Sequence, residues 1–231
     1  WSSDVCSSDL IKTKSAFINW TQKLSRLGIE LGARYEDHSA FDEHTTLHAA
    51  VSFDLSPDIK IYTSYGEGYK APDINELYHP GWGGWSAGNS SLKPEETDTI
   101  EAGIKYKATV NHDFTVSIYD TDAKNLIAYQ GALNQAINVS TASMEGVEVT
   151  WGYNNEQWRS GASFTLQDTD DNSGRDLLRR ADRKLSFQLG KEYKNGMNWH
   201  GEYIYTSSRV DVDAITFGRK RMGGYNIINF A

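Results

Sequence analysis

The sequence predicts an all-β protein, in the form of an antiparallel up-and-down transmembrane β-barrel. Three observations predict this fold: apolar residues alternate with polar or small ones, the alternating segments are long, and their connections are short and long in turn. Alternation with a period of two is typical of a strand with one apolar face. The segments run to about 9 to 12 residues, whereas strands average about 5 to 6 residues in soluble proteins and a tilted membrane strand needs about 9 to 11.

Eleven strands are predicted in chain order, each from the same alternation. They lie at residues 14–22, 27–37, 44–54, 59–67, 97–107, 112–122, 142–153, 158–167, 184–193, 197–207 and 222–231. In the segment 27–37, for example, every second residue from Leu27 to Tyr35 is apolar or aromatic, and small or charged residues stand between them. The apolar residues of a helix would instead recur every three or four positions.

The connections predict a barrel with two unlike ends. Short turns are predicted at 23–26, 55–58, 108–111, 154–157 and 194–196, and longer loops at 38–43, 68–96, 123–141, 168–183 and 208–221. Outer-membrane barrels place short turns in the periplasm and longer loops outside the cell. Aromatic residues of the apolar face cluster near the short turns, as amphipathic rings do at a membrane–water interface. These residues are Phe53, Tyr106, Trp151, Tyr153, Trp158, Tyr193 and Trp199.

The other face of the predicted strands is polar or small. Its polar members include Glu30, Arg34, His48, Glu101, Lys105, Glu148, His200 and Glu202. In a membrane barrel such residues line a hydrated lumen or contact a plug, whereas in a soluble sandwich they would face solvent. Periodicity alone does not choose between these two folds.

Composition excludes several classes of protein. The 231 residues contain no uncharged apolar stretch of the roughly 18 to 20 residues that a transmembrane helix needs. A single cysteine excludes an internal disulfide scaffold. The net charge of -8 argues against binding to nucleic acid phosphates, and an aromatic content of 12% argues against disorder.

Residues 1–10 differ from the rest of the sequence. They read WSSDVCSSDL, without the apolar core and basic start of a signal peptide. They resemble a translated sequencing adapter, and we expect them to form a non-native tail outside the fold; a genuine polar tail is the alternative. On this interpretation residues 11–231 are a partial barrel domain, and Cys6 carries no information about the redox environment.

An ordered motif follows the fourth predicted strand, and a short Gly-Val-Glu element stands further on. The motif residues are Tyr69, Lys70, Ala71, Pro72, Glu76, Leu77, Tyr78, Leu92, Lys93, Pro94, Glu95, Gly146, Val147 and Glu148. This string resembles the TonB-dependent outer-membrane receptor family. The resemblance implies a 22-stranded barrel with an N-terminal plug, in the outer membrane of a Gram-negative cell. This sequence would then hold about eleven of the strands, without the plug and the last strands.

The resemblance also implies a function. Receptors of this family take up scarce large ligands with energy from TonB, which would bind a segment that lies outside this sequence. Residues 120–127, 177–181 and 221–224 are similar to the cobalamin receptors of the family, which implies cobalamin (vitamin B12) or a related corrinoid as the ligand, and neither a cofactor nor enzymatic activity. A ferric siderophore remains an alternative ligand within the family.

Alternatives from other classes are a barrel hydrolase and, more remotely, a soluble carbohydrate-binding sandwich. None of the six histidines has a nucleophile partner in a recognisable motif, although geometry and not chain order decides such a triad. Three residues separate His44 and His48, but no pair of cysteines accompanies them, and we expect no metal site.

Exposed aromatic residues in the long loops are the candidate ligand contacts. Tyr78, Trp82 and Trp85 stand among glycines in the loop 68–96, and Tyr129 and Gln130 are weaker candidates in a later loop. Such rings stack on bulky ligands in apolar pockets. The alternative is that they pack within the loops.

The loop 168–183 carries two further patterns. Residues 168–174 begin like a calcium-binding loop, but the glycine is displaced and Arg179 stands where the last ligand should be, so we interpret them as a solvated acidic tip. A basic run follows, which would either bind anionic lipopolysaccharide or pair with nearby aspartates. The run comprises Arg175, Arg179, Arg180, Arg183 and Lys184, and the aspartates are Asp168, Asp170, Asp171 and Asp182.

Overall fold

The computed structural model describes residues 11–82, 86–130, 133–171, 173–213, 215–216 and 218–231. The predicted tail at residues 1–10 lies outside the described residues. The elements in chain order are β1 (Thr13–Leu24), β2 (Leu27–His38), β3 (Asp42–Asp54), β4 (Ile59–Lys70), α1 (Ile74–Tyr78), β5 (Glu95–Lys107), β6 (His112–Gln130), β7 (Gln135–Asn154), β8 (Trp158–Asp171), β9 (Arg183–Glu192), β10 (Asn198–Thr206), β11 (Arg209–Val212), β12 (Arg219–Met222) and β13 (Tyr225–Phe230).

Eleven of the strands form one antiparallel up-and-down sheet, in the order β1 to β10 and then β13. Each strand pairs with its neighbour along the chain, and the small hairpin β11–β12 is inserted before the last one. All eleven predicted strands are present, so the prediction of an all-β meander is confirmed. In the described part of the sheet, β1 and β13 are the two edges and the sheet is not closed. Among the described residues, no helix is long and apolar enough to cross a bilayer.

The register gathers the apolar residues into rows that run across the strands. Directly paired residues of neighbouring strands lie on the same face of a sheet. One row is Leu27, Phe53, Ile61, Ile104, Val116, Val149, Phe164 and Leu185. These side chains have no covering layer, and Ile104 at the centre of the row is 50% exposed. A continuous apolar face of this size is covered by a partner or a membrane in a stable protein.

The aromatic side chains near the short turns belong to this apolar face. Tyr106, Phe114 and Trp151 are consecutive partners in one row, and the rings of Tyr106 and Phe114 stack at 6.4 Å. The rings of Trp158 and Trp199 meet edge to face at 6.0 Å. These rings form one belt beside the short turns, as expected at a membrane–water interface.

Tyrosines of the polar face lie over glycines of the next strand. Tyr62 pairs with Gly103, and a Cβ atom added to Gly103 would fall 2.6 Å from the tyrosine Oη. Tyr119 covers Gly146 in the same way, again at 2.6 Å. The Tyr62 hydroxyl donates a 2.5 Å hydrogen bond to Glu101 Oε1. Glycine leaves the space for each ring, and each ring covers the exposed backbone of a glycine that would otherwise weaken the strand.

Several predicted loop boundaries are wrong. The predicted loop 123–141 is strand for most of its length, because β6 and β7 continue as a pair to Gln130 and Gln135. This extension lacks clean alternation since it projects beyond the predicted membrane span of about 10 residues, where both faces can be wet. The predicted loop 38–43 shrinks to residues 39–41, and the predicted loop 208–221 contains the hairpin β11–β12, whose four-residue strands are too short to show a period.

Candidate functional site

The long loops and strand extensions form a structured end of the barrel. Its first part is the connection between β4 and β5, which begins with a fully buried Pro72. Asp73 caps the helix α1, since its Oδ1 accepts a 2.8 Å hydrogen bond from the Glu76 amide and its own amide donates to Glu76 Oε2 at 2.8 Å. This reciprocal capping box stabilises even a helix of one turn.

A lysine with two carboxylates closes this connection. Lys70 Nζ lies 3.6 Å from Glu76 Oε1 and 3.6 Å from Glu95 Oε2. The other oxygen of Glu95, Oε1, accepts a 2.7 Å hydrogen bond from the Ile127 amide. Both carboxylates are largely buried while the lysine is half exposed. The cluster therefore ties the start and the end of the connection to the extension of β6.

The rest of the connection packs on the hairpin β6–β7. Leu77 and Leu92 are 3% and 4% exposed and form a small core with Ala136. Asn89 Nδ2 donates to the Ala136 carbonyl at 3.0 Å, and Asn138 exchanges two hydrogen bonds with the Lys93 backbone at 2.8 and 2.9 Å. These contacts, which include the motif residues Leu77, Leu92 and Lys93, hold the loop in place on the hairpin.

The remaining motif residues lie along the strands. Tyr69 stacks on His44 with ring centroids 4.1 Å apart. Gly146 lies beneath Tyr119, Val147 belongs to the apolar face, and Glu148 accepts a hydrogen bond from Thr165 on the polar face at 3.4 Å. None of these positions forms a catalytic arrangement with a nucleophile and a base within the described part of the chain.

The predicted aromatic contacts are exposed at this end where the structure describes them. Tyr78, Trp82 and Tyr129 are 52%, 68% and 39% exposed. The Trp82 ring contacts His79 with centroids 5.0 Å apart. Trp85 and the side chain of Gln130 lie outside the described residues. Their contact with a ligand stays a prediction.

At the acidic tip of the loop after β8, the Asp171 carboxylate binds residues of the same loop. Asp171 Oδ1 accepts hydrogen bonds from the Ser173 hydroxyl at 2.6 Å and the Arg175 amide at 3.2 Å. The Arg175 guanidinium lies 2.9 Å from Asp171 Oδ2. Burial raises the pKa of Asp171, but the hydrogen bonds from Ser173 and Arg175 outweigh it and lower the pKa to about 2. Within the described ranges, no group of three metal-binding side chains is found.

The basic run divides into paired and unpaired members. Arg175 pairs with Asp171 as the pairing alternative predicts, whereas Arg179 pairs with Asp211 of β11 at 2.9 Å. The Arg179 hydrogen bond lowers the pKa of Asp211. Among the described residues, Arg180 has no carboxylate partner.

A cavity of about 330 Å³ lies between the loops, and we call it the loop cavity. Residues 126–128 and 177–178 form its apolar wall, and its charged lining residues are Lys70, Glu95, Asp171, Arg180 and Arg219. Its volume falls at the lower end of the range of ligand pockets, about 300 to 1,000 Å³. Arg219 was not predicted as a site residue, because the hairpin that carries it was not predicted. Tyr78, Trp82 and Tyr129 do not line this cavity.

Comparison with protein families and curated relatives gives consistent matches. The family model "TonB dependent receptor-like, beta-barrel" matches residues 2–231. The vitamin B12 transporter BtuB of Vibrio cholerae serotype O1 is 28% identical over 199 residues, which cover 86% of this chain and 31% of that protein. BtuB of Photobacterium profundum is 24% identical over 232 residues, which cover 94% of this chain and 36% of the relative. The chain thus spans about a third of the length of these relatives.

Solved structures share the fold. The copper transporter OprC superposes with a TM-score of 0.72 and 18% identity, over 95% of this chain and 38% of that one. The ferric-catecholate import receptor Fiu of Escherichia coli K12 superposes with a TM-score of 0.73 and 15% identity, over the same shares. At these identities the likeness extends to the fold alone.

Proposed function

The chain belongs to the TonB-dependent receptor β-barrel family, and from this premise we propose that it forms wall and outer loops of a receptor that imports cobalamin or a related corrinoid. The family is one of Gram-negative outer-membrane proteins. The energy for import would come from TonB. The chain would act in transport and carry no catalytic site of its own.

The observation that carries the transport proposal is the two-faced sheet. The apolar row centred on Ile104 is exposed along six consecutive strands, β3 to β8. Such a surface suits contact with lipid chains, and lipopolysaccharide would cover the outer part of this face. The opposite face carries hydrogen-bonded polar groups such as Tyr62 and Glu101, which suit a hydrated lumen that holds a plug.

The choice of a corrinoid rests on the curated relatives. The two curated relatives compared above are both named vitamin B12 transporters. The alternative, a ferric siderophore, belongs to the same transport class and would use the same wall. A barrel hydrolase would need a nucleophile and a base within hydrogen-bonding reach, about 2.6 to 3.2 Å, and the hydrogen bonds of the described histidines include no serine hydroxyl.

Equilibrium binding to the full-length receptor tests the proposal. The purified receptor in detergent is titrated with cyanocobalamin and, in parallel, with ferric enterobactin. Saturable binding of cyanocobalamin at a concentration at least 100-fold below that needed for ferric enterobactin is expected. Tight binding of the siderophore with no binding of cyanocobalamin would overturn the corrinoid assignment and leave the transport class intact. Hydrolytic activity that a single histidine substitution abolishes would instead favour the hydrolase.

A further inference from the structure

Lys191 is a cation on the apolar face of the barrel wall, at the end with the short turns. It is paired with Trp158 of β8 on one side and with Trp199 of β10 on the other. Alternate residues of a strand lie on one face, so Trp158 shares its face with Phe164 of the exposed apolar row. Lys191 therefore lies on the lipid side of the wall, within the aromatic belt that marks the level of the lipid headgroups.

Two aromatic rings hold the ammonium group of Lys191. Its Nζ lies 4.6 Å from the centroid of the Trp158 ring and 4.7 Å from that of the Tyr193 ring, within the range of cation–π contacts. Tyr193 is itself fixed in the turn after β9, since its amide donates to the Met197 carbonyl at 2.8 Å and its carbonyl accepts from the Gly196 amide at 2.9 Å. The position of the cation is therefore set by its neighbours.

The charge of Lys191 is not compensated by the protein. In the part of the chain that the structure describes, no carboxylate forms an ion pair with its ammonium group. Two lysines of the polar face at the same end differ, because Lys23 and Lys60 both pair with Asp54, at 3.1 and 3.5 Å. An unpaired cation at a membrane surface attracts the anionic groups of lipids, and at this level of the bilayer the phosphate of a phospholipid is such a group.

Hydrogen-bond donors accompany the cation. In the same aromatic belt, the indole Nε1 of Trp151 donates to His112 Nδ1 at 3.1 Å. The indole N–H groups of Trp158 and Trp199, on the two sides of Lys191, make no hydrogen bond with another described residue. An indole N–H acts only as a donor, so these two groups are suited to the ester oxygens of a lipid.

A shallow groove leads from Lys191 toward the middle of the bilayer. Its floor consists of Ser160 and Ala162, two small residues that follow Trp158 on the apolar face of β8. Larger residues of β7 and β9 are their direct partners, namely Tyr153 and Leu189 beside Ser160, and Trp151 and Phe187 beside Ala162. Directly paired side chains are nearest neighbours across the strands, so small ones between large ones leave a track of the width of an acyl chain.

We propose that Lys191 binds the phosphate group of a membrane phospholipid, one acyl chain of which lies in the groove over Ser160 and Ala162. The ammonium group donates charge-assisted hydrogen bonds to the phosphate oxygens, and the flanking indoles donate to the ester oxygens. The bound lipid sets the depth of β8, β9 and β10 in the bilayer at the end with the short turns. The inference requires the barrel to lie in a membrane and does not depend on the identity of the imported ligand.

Lipid binding by variants of the full-length receptor provides the first test. The receptor is stripped of lipid in detergent and titrated with dioleoyl phosphatidylglycerol, and bound lipid is counted by native mass spectrometry. Lys191→Gln should weaken binding about 10-fold, the loss expected for a hydrogen bond to a charged group, whereas Lys191→Arg should bind as the wild type does. The matched control is Lys107→Gln, because Lys107 is exposed at the same end but lies on the polar face. Equal binding by Lys191→Gln and Lys107→Gln would overturn the proposal.

A second readout uses the wild-type receptor alone. Phosphatidylglycerol should protect Lys191 from acetylation by an N-hydroxysuccinimide ester, measured by peptide mass spectrometry, and should leave Lys107 unprotected. Dioleoylglycerol, which has the same chains without the phosphate, and inorganic phosphate, which has no chain, should each give at least 10-fold weaker protection. Equal protection by dioleoylglycerol or by inorganic phosphate would overturn the proposal, as would no protection by phosphatidylglycerol. None of these results changes if the receptor fails to bind a corrinoid.

Discussion

Replacement of Gly103 by alanine should destabilise the barrel wall, because Tyr62 occupies the space that the new methyl group needs. The methyl carbon would lie 2.6 Å from both Cζ and Oη of Tyr62, well inside van der Waals contact. The ring must therefore move, and its 2.5 Å hydrogen bond to Glu101 is lost. A hydrogen bond to a charged group contributes about 1.5 to 3 kcal/mol, whereas removal of a glycine from a strand returns roughly 0.5 to 1 kcal/mol.

The net expectation for Gly103→Ala is a loss of about 1 to 2 kcal/mol in the free energy of unfolding. Gly66→Ala is the matched control, since its new methyl group would meet only His48 Nδ1, at an ordinary distance of 3.6 Å. This control should be neutral or slightly stabilising. Equilibrium unfolding of the full-length receptor in urea, with lipid or detergent present, measures both values.

A double-mutant cycle locates the effect in the ring. When Tyr62→Ala has already removed the ring, Gly103→Ala should cost nothing, so the two losses should be far from additive. Equal stabilities of the Gly103→Ala and Gly66→Ala variants would show that the Tyr62 ring does not oppose a methyl group at position 103. Additive losses in the cycle would show the same, because they would place the cost outside the contact between the ring and the glycine.

Two further predictions concern the loops of the full-length receptor. Glu95→Gln should weaken the hydrogen bond from the Ile127 amide and speed proteolysis within residues 71–94 several-fold. The control Glu96→Gln should leave the rate of proteolysis unchanged. Equal rates in the two variants would show that Glu95 does not hold this connection in place. The folded-state pKa of Asp171 is lowered to about 2, below the roughly 3.9 of an unfolded chain, so its contribution is complete above about pH 4 and is lost as the pH falls toward 2. Hydrogen exchange at residues 173–176 should therefore accelerate between pH 4 and pH 2 beyond the intrinsic rate, and Asp171→Asn should remove that pH dependence; an unchanged profile in the variant would exclude Asp171 as the cause.

The strands were predictable because their signal is local. Ile100, Ala102 and Ile104 alternate with polar or small residues whatever the rest of the chain does, and the bilayer requires that alternation only within its own thickness. Beyond Lys124, β6 and β7 continue outside the bilayer, where water surrounds them. The ladder of backbone hydrogen bonds between the two strands pairs their N–H and C=O groups there, and no apolar face is needed. The predicted loop at that point was therefore wrong.

The candidate site was predictable only in part. Lys70, Glu76 and Glu95 stood out as motif residues, but that they meet in one cluster depends on how the loop folds back on β6. The loop cavity escaped prediction for a similar reason, since Arg180 and Arg219 lie 39 positions apart in the chain and come together only through the hairpin β11–β12. Contacts between distant loops leave no periodic trace in one sequence.

In the proposed receptor, alternate side chains of each strand face lipid and water. The most direct test places a spin label in turn at each position from 100 to 105 in the full-length receptor, reconstituted in lipid, and measures collision with oxygen and with a water-soluble nickel chelate. Labels at Ile100, Ala102 and Ile104 should collide mainly with oxygen, and labels at Glu101, Gly103 and Lys105 mainly with the chelate. The same response at all six positions, or contact with neither reagent at the even positions as in a dry protein core, would contradict the account.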